Sequence, residues 1–139
     1  MTAQTDATTA EIYAAAWRAE IRRRIDDIES GRAKPLRHDR TSRCADHPAA
    51  REEYAEAIRV HQQVSPQLGE AITRCLENAV QAVLVAPMSW PVFSGWDEEP
   101  VVRNNDIDRC AYRIVHYQRG DETVILAYAL KHQPSKQRR

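Results

Sequence analysis

The 139-residue sequence lacks a long apolar run, a patterned set of cysteines and a net charge of either sign. No segment approaches the roughly 18–20 apolar residues that a membrane-spanning helix needs. The N-terminal MTAQTDATTA has no basic region followed by an apolar stretch, so a secretory signal is not expected. The mean hydropathy of −0.64 indicates a soluble protein with a modest core, and we expect it in the cytoplasm.

The three cysteines, Cys44, Cys75 and Cys110, show no CxxC spacing. An odd number without a pattern favours a reducing compartment and ordinary packing roles. The sequence therefore predicts no metal site and no cofactor.

The zero net charge conceals an uneven distribution. Residues 46–100 hold three basic and nine acidic side chains, whereas residues 101–139 hold eight basic and four acidic ones. This is either ordinary surface variation or a basic C-terminal surface that faces an anionic partner.

An amphipathic helix is predicted near the N-terminus. Thr8 and Glu11 have capping-box spacing, so the helix is expected to start at Thr8 or Thr9, and Gly31 suits its C-terminus. Its apolar stripe, at spacings of four, four, four and three, consists of Tyr13, Trp17, Ile21, Ile25 and Ile28. Burying each such side chain contributes roughly 1.5–3 kcal/mol, so the stripe is expected to dock on another surface.

Two units are predicted along the chain. Residues 1–45 comprise the helix and a charged connector, which is either a plain linker or a binding strand. Residues 46–139 begin again at His47-Pro48, where Asp46 is a candidate helix cap. A second cap at Ser65-Pro66 then predicts a helical hairpin that ends before Pro87.

The pattern changes to strands after a loop over residues 88–100. Residues 101–103 are a short strand candidate, residues 110–117 alternate, and residues 123–130 suit a buried strand. The fold class is therefore predicted as α+β, with an N-terminal amphipathic helix and connector followed by a helical hairpin packed on a small antiparallel sheet.

The second unit resembles the RelE/ParE superfamily of toxins from bacterial type II toxin–antitoxin modules. The resemblance rests on four motifs in the family's order, HPAAREEYAEAI, SPQLGEAITRCLENAVQAVLVAPMSWP, VRNNDIDRCAYRIVHY and GDETVILAYALKH. It covers about residues 47–132 and implies a RelE/ParE-like fold. Family toxins begin with a strand before the His-Pro, and TSRCAD has little strand character.

The first unit resembles the toxin-binding tail of small addiction-module antitoxins over about residues 11–42. The matching segment is WRAEIRRRIDDIESGRAKPLRHDR, a charged helix followed by a glycine and an extended tail. The resemblance implies that an antitoxin fragment and its toxin are joined in one chain, naturally or artificially. The stripe from Tyr13 to Ile28 would then dock on the toxin, within one chain or exchanged between two chains of a homodimer.

The family resemblance implies growth inhibition, by ribosome-dependent mRNA cleavage or by poisoning of DNA gyrase without catalysis. Cleavage needs cations for the phosphorane charge and groups that transfer protons. The candidates for these roles are Arg103, Arg109, Arg113, Lys131 and His132, with His116 as a second proton-transfer candidate. The alternative role of Arg113 is to cover the sheet, and the alternative for His132 is an idle surface residue. The alternative function of the chain is a silent binding module or a degenerate toxin.

Overall fold

The computed structural model describes residues 2–38, 43–105 and 110–130. Within these ranges the chain forms three helices and five strands, in α+β order. The elements are α1 (Thr2–Glu29), β1 (Leu36–Arg37), β2 (Cys44–Asp46), α2 (Pro48–Val64), α3 (Pro66–Val85), β3 (Val102–Asn105), β4 (Tyr112–Arg119) and β5 (Glu122–Leu130). No helix in the described ranges is both long enough and apolar enough to cross a membrane.

The five strands form one mixed sheet in the order β1-β2-β5-β4-β3. Neighbouring strands are antiparallel except β2 and β5, which run parallel. The predicted purely antiparallel sheet is therefore wrong at this one pair. Parallel neighbours need a long crossover connection, and residues 47–121, with the helical hairpin, β3 and β4, supply it.

The connector contributes two strands that its sequence does not suggest. β2 pairs with β5 from Cys44 to Asp46, and both ends of this pairing are fixed by further backbone hydrogen bonds. Thr123 N–H donates to the carbonyl of Arg43 at 2.7 Å, and His47 N–H donates to the carbonyl of Ile125 at 2.9 Å. Pairing with an already formed strand outweighs the weak intrinsic strand preference of TSRCAD.

The predicted end of α1 agrees with the structure, whereas its predicted start does not. α1 begins at Thr2, so the capping box predicted at Thr8 lies inside the helix. α1 ends at Glu29, and Gly31 has the predicted left-handed conformation with φ of 85°.

The sequence predicts Asp46 as the cap of α2 and Ser65 as the cap of α3, and the structure confirms Ser65 but not Asp46. The Ser65 hydroxyl accepts from Leu68 N–H, as expected. At the start of α2 the cap is His47, whose Nδ1 accepts from Ala49 N–H at 2.9 Å, and not Asp46. Asp46 is instead fully buried on β2, where its carboxylate faces other partners.

The sheet is covered on both sides. The α2–α3 hairpin packs on one side, here called the hairpin face, through residues such as Leu76, Val80, Ile114 and Ile125. α1 packs on the other side, here called the covered face, which is formed by Val102, Val115, Tyr117, Val124, Leu126 and Ala127. The molecule is thus a helix–sheet–helix sandwich in which the N-terminal segment supplies one outer layer.

Candidate functional site on the covered face of the sheet

The three isoleucines of the α1 stripe are the anchor of the N-terminal helix. Ile21 and Ile25 are fully buried and Ile28 is 2% exposed, because spacings of four and three place all three on one side of the helix. They contact the covered face, and Trp17 packs at the edge of the same cluster. Tyr13 is half-buried near Trp17, where α1 runs past the sheet.

The loop between α3 and β3 completes the apolar contact under α1. Phe93 and Trp96 are buried in the same cluster as the isoleucines. Arg22 lies over the Trp96 ring at 5.8 Å and forms an ion pair with Glu98 at 3.0 Å. Arg18 packs so closely over Gly95, which has a φ of 78°, that a Cβ there would lie 2.5 Å from its guanidinium.

A buried ion pair joins α1 to both α2 and β5. The Arg24 guanidinium binds the Glu53 carboxylate of α2 at 2.9 Å and donates to the carbonyl of Leu126 at 2.7 Å. Glu53 in turn accepts from Tyr128 N–H at 3.0 Å. The pair therefore supplies hydrogen-bond partners to β5 beyond Ile125, where β2 has ended.

The sequence does not reveal why Arg24 differs from its two arginine neighbours. Arg23 is exposed and pairs only with acidic residues of its own helix, Glu20 and Asp27. Arg24, one position along, points towards the sheet edge, and its side chain is 8% exposed. The Leu126 carbonyl that it binds belongs to the position at which the β4–β5 register shifts, where Leu126 has no cross-strand partner in the register.

The C-terminal end of α1 is fixed by Glu29. Its carboxylate accepts from the Tyr117 hydroxyl at 2.7 Å and pairs with Arg119 at 3.2 Å. Burial and the adjacent Glu29 carboxylate both favour the neutral phenol, so the pKa of Tyr117 lies above its usual value. α1 is thus attached to the sheet by polar contacts at Arg24, within its isoleucine stripe, and at Glu29, at the C-terminal end of the stripe.

The two described arginine candidates for catalysis lie on opposite faces of the sheet. Arg103 pairs in register with His116, whose side chain points to the hairpin face, and donates to the carbonyl of Trp90 at 2.8 Å. Arg113 lies two residues before Val115 and four before Tyr117 on β4. Because every second residue of a strand points to the same face, Arg113 lies on the covered face. The structure therefore does not bring Arg103 and Arg113 together into one cationic site.

The remaining catalytic candidates, Arg109, Lys131 and His132, lie outside the described residues. Among the described ones, Arg113 has a buried Nε without a hydrogen-bond partner in the described ranges, close to the end of β5, where Ala129 is its cross-strand neighbour. His116 is 1% exposed, and burial, followed by the Arg103 charge, lowers its pKa to about 4. A buried neutral imidazole of this kind is placed for packing more than for proton transfer.

A groove of about 670 Å³ opens between α1, α2 and the end of β5. Trp17, Tyr112 and Leu130 give it apolar walls, while Glu52, Glu53 and Glu56 give it negative charge with Arg24 as the one cation among its lining residues. Carboxylates repel phosphate, so this groove does not suit nucleic acid.

A second polar cluster lies where the connector meets the sheet, and sequence reasoning did not identify it. It contains His38, Asp46 and Glu77, which the structure brings together from the connector, β2 and α3. The spacing His-x5-Cys-x-Asp from His38 to Asp46 is the signal that the sequence offers for this cluster, and it matches no common ligand pattern.

No family model, curated protein or solved structure matches the chain.

Proposed function

We propose that the chain is the toxin of a bacterial type II toxin–antitoxin module and that its own N-terminal segment holds it inactive. The observation that carries the proposal is the burial of Ile21, Ile25 and Ile28 of α1 on the covered face of the sheet. An antitoxin-like helix followed by a toxin-like strand, helical hairpin and three-stranded meander is the order that the resemblance implies.

The covered face is the surface that we assign to inhibition. α1 covers the face on which Arg113 lies, and it ties itself to that face through Arg24 and Glu29. Arg113 itself is half-exposed, whereas α1 covers the apolar part of that face, so a target that binds the apolar part cannot reach it while α1 is in place. Release of α1, or its exchange with a second chain, would expose that surface.

Growth of a bacterial host tests this proposal. Residues 43–139 expressed alone should arrest growth, and residues 1–42 supplied in trans should restore it. In the full chain, the double variant Ile21→Asp/Ile25→Asp should arrest growth as well, because two buried charges expel α1 from the apolar face. Ile12→Asp, on an exposed position of the same helix, is the matched control and should leave growth unchanged.

If the soluble, folded short chain and the double variant both leave growth untouched, the toxin proposal fails. The outcome then favours the silent binding module. The observation that supports this alternative is the hydrogen bond that Arg103 donates to the Trp90 carbonyl. Circular dichroism of each purified protein separates loss of activity from loss of folding.

The molecular target is one of two, the ribosome with its mRNA or DNA gyrase, and two assays distinguish them. Cleaved mRNA on ribosomes with normal supercoiling identifies the nuclease, whereas blocked supercoiling with intact mRNA identifies the gyrase poison. Arg113→Ala in the short chain should reduce growth arrest for a target that binds the covered face. Arg103→Ala should not, because Arg103 lies on the hairpin face.

A further inference from the structure

Three side chains with different metal-binding atoms meet beside β2. His38, Cys44 and Asp46 are 5%, 0% and 0% exposed, and their ligand atoms all lie within 4.8 Å of one another. Cys44 and Asp46 are two residues apart on one strand, so their side chains point to the same face of the sheet. His38 is held against them because its backbone N–H donates to the carbonyl of Cys44 at 2.9 Å.

The hydrogen bonds of this cluster do not account for all of its polar atoms. Asp46 Oδ2 binds both His38 Nδ1 at 3.1 Å and Arg51 Nε at 3.2 Å. Asp46 Oδ1 is buried and has no hydrogen-bond partner among the described residues, and the same holds for the Tyr128 hydroxyl. A carboxylate oxygen that is buried without a partner is costly and indicates a group that binds there.

We propose that His38, Cys44 and Asp46 form a binding site for one zinc ion. Imidazole nitrogen, thiolate sulfur and carboxylate oxygen are the three ligand types that Zn²⁺ takes in proteins. Zinc–ligand bonds of about 2.0–2.3 Å place neighbouring ligand atoms roughly 3.5 Å apart in a tetrahedral site. The present separations of the three ligand atoms, at most 4.8 Å, would have to shorten by up to roughly 1.3 Å to reach that geometry.

Glu77 of α3 is placed to orient the histidine. Its Oε2 lies 3.3 Å from His38 Nε2, while Nδ1 is the ring nitrogen next to Asp46. Zinc-binding histidines generally donate their second ring N–H to a carboxylate, which fixes the tautomer. The Tyr54 hydroxyl donates to the same Glu77 oxygen and so holds this carboxylate in position.

The ion would link three parts of the fold. His38 follows β1, Cys44 and Asp46 belong to β2, and Glu77 lies on α3. Zinc would thus fasten the connector to the strand that begins the toxin-like unit. This inference does not depend on the proposed function, since a metal site can exist whether or not the chain arrests growth.

Metal titration of the full chain tests the site. Chelator-treated protein should take up one equivalent of Co²⁺ with the visible bands of a tetrahedral site and an ultraviolet thiolate-to-cobalt band, and one equivalent of Zn²⁺ should displace it. Cys44→Ala should abolish the thiolate band. Cys110→Ala removes another buried thiol from the same apolar cluster and should keep the band.

Further variants separate ligands from the orienting residue. Asp46→Asn should weaken zinc binding strongly, whereas Glu77→Gln should weaken it by about 10- to 100-fold and leave the thiolate band in place. The proposal is overturned if the wild-type chain takes up no stoichiometric Co²⁺ or Zn²⁺, or if Cys44→Ala retains the band. The wild-type titration decides the matter even if a variant fails to fold.

Discussion

Arg24 of α1 and Glu53 of α2 form a bridge between two helices that pack on opposite faces of the sheet. The guanidinium and the carboxylate meet at 2.9 Å at the edge of β5, where both also bind backbone groups of that strand. Arg24 is almost fully buried, so its charge depends on Glu53 and Glu20 for compensation. The N-terminal segment is therefore connected to the rest of the fold by more than apolar contact.

Arg24→Ala should destabilise the protein by about 2–3 kcal/mol, because it leaves Glu53 without its cation and the Leu126 carbonyl without a donor. Partial exposure of Glu53, 28%, keeps the expected loss below that of a fully buried pair. Urea unfolding of the full chain measures this free energy. Arg23→Ala is the control, since Arg23 is 63% exposed and surface ion pairs contribute little to stability. Equal losses in the two variants would show that the bridge is unimportant.

Ile25→Ala should lower the free energy of unfolding by about 2–5 kcal/mol, the usual cost of removing a buried isoleucine side chain. The same substitution at Ile12, which is 64% exposed on the same helix, should change stability by less than about 0.5 kcal/mol. Unfolding curves of both variants, with proteolysis of the connector as a second readout, check the result. Matching curves for the two variants would contradict the docking of α1.

His116 should make the protein less stable as the pH falls from about 6.5 towards 4. Burial and the nearby Arg103 charge lower its folded-state pKa from 6.5 to about 4, so only the unfolded chain binds a proton in this window. The linked loss approaches about 3 kcal/mol near pH 4.

Urea midpoints of the wild type and His116→Gln across this pH range test the assignment. His47, whose pKa is also lowered by burial, and the acidic groups contribute equally to both proteins, so the difference isolates His116. Parallel pH profiles would mean that His116 gains a proton without loss of stability in the folded protein.

Gly95→Ala should be more destabilising than Gly31→Ala. Both glycines have a positive φ, 78° and 85°, so alanine is strained by about 1 kcal/mol or more at either position. Only at Gly95 would the new methyl group also meet a side chain, the Arg18 guanidinium at 2.5 Å, and displace it from the loop. Thermal unfolding of the two variants gives the comparison, and a greater loss for Gly31→Ala would argue against the packing of Arg18 on the loop.

The sequence was sufficient to predict elements whose signals are local. The spacing of Ile21, Ile25 and Ile28 predicts one apolar side of a helix, Gly31 predicts its end, and Ser65-Pro66 predicts the start of α3. The α+β class followed from the change of period after residue 100, and the β5 strand was expected within one residue of its observed start.

Signals that depend on distant partners were not available in the sequence. β2 forms because the edge of β5 offers it a pairing partner. Because β2 runs parallel to β5, the sheet is mixed and not purely antiparallel. The helix start predicted at Thr8 is wrong, since α1 already begins at Thr2. Whether Arg103 and Arg113 share a face was equally hidden, since it depends on the register between β3 and β4.

The sequence by itself determined that an apolar helix stripe needs a surface, that a helical hairpin follows it, and that strands follow the hairpin. Only the tertiary structure decided that the surface is the sheet's second face, that Arg24 rather than Arg23 is buried there, and that His38 meets Cys44 and Asp46. The physical reason is range: periodicity and capping act within a few residues of one another, whereas ion pairs, strand pairing and ligand clusters join residues that only the folded chain brings within a few ångströms.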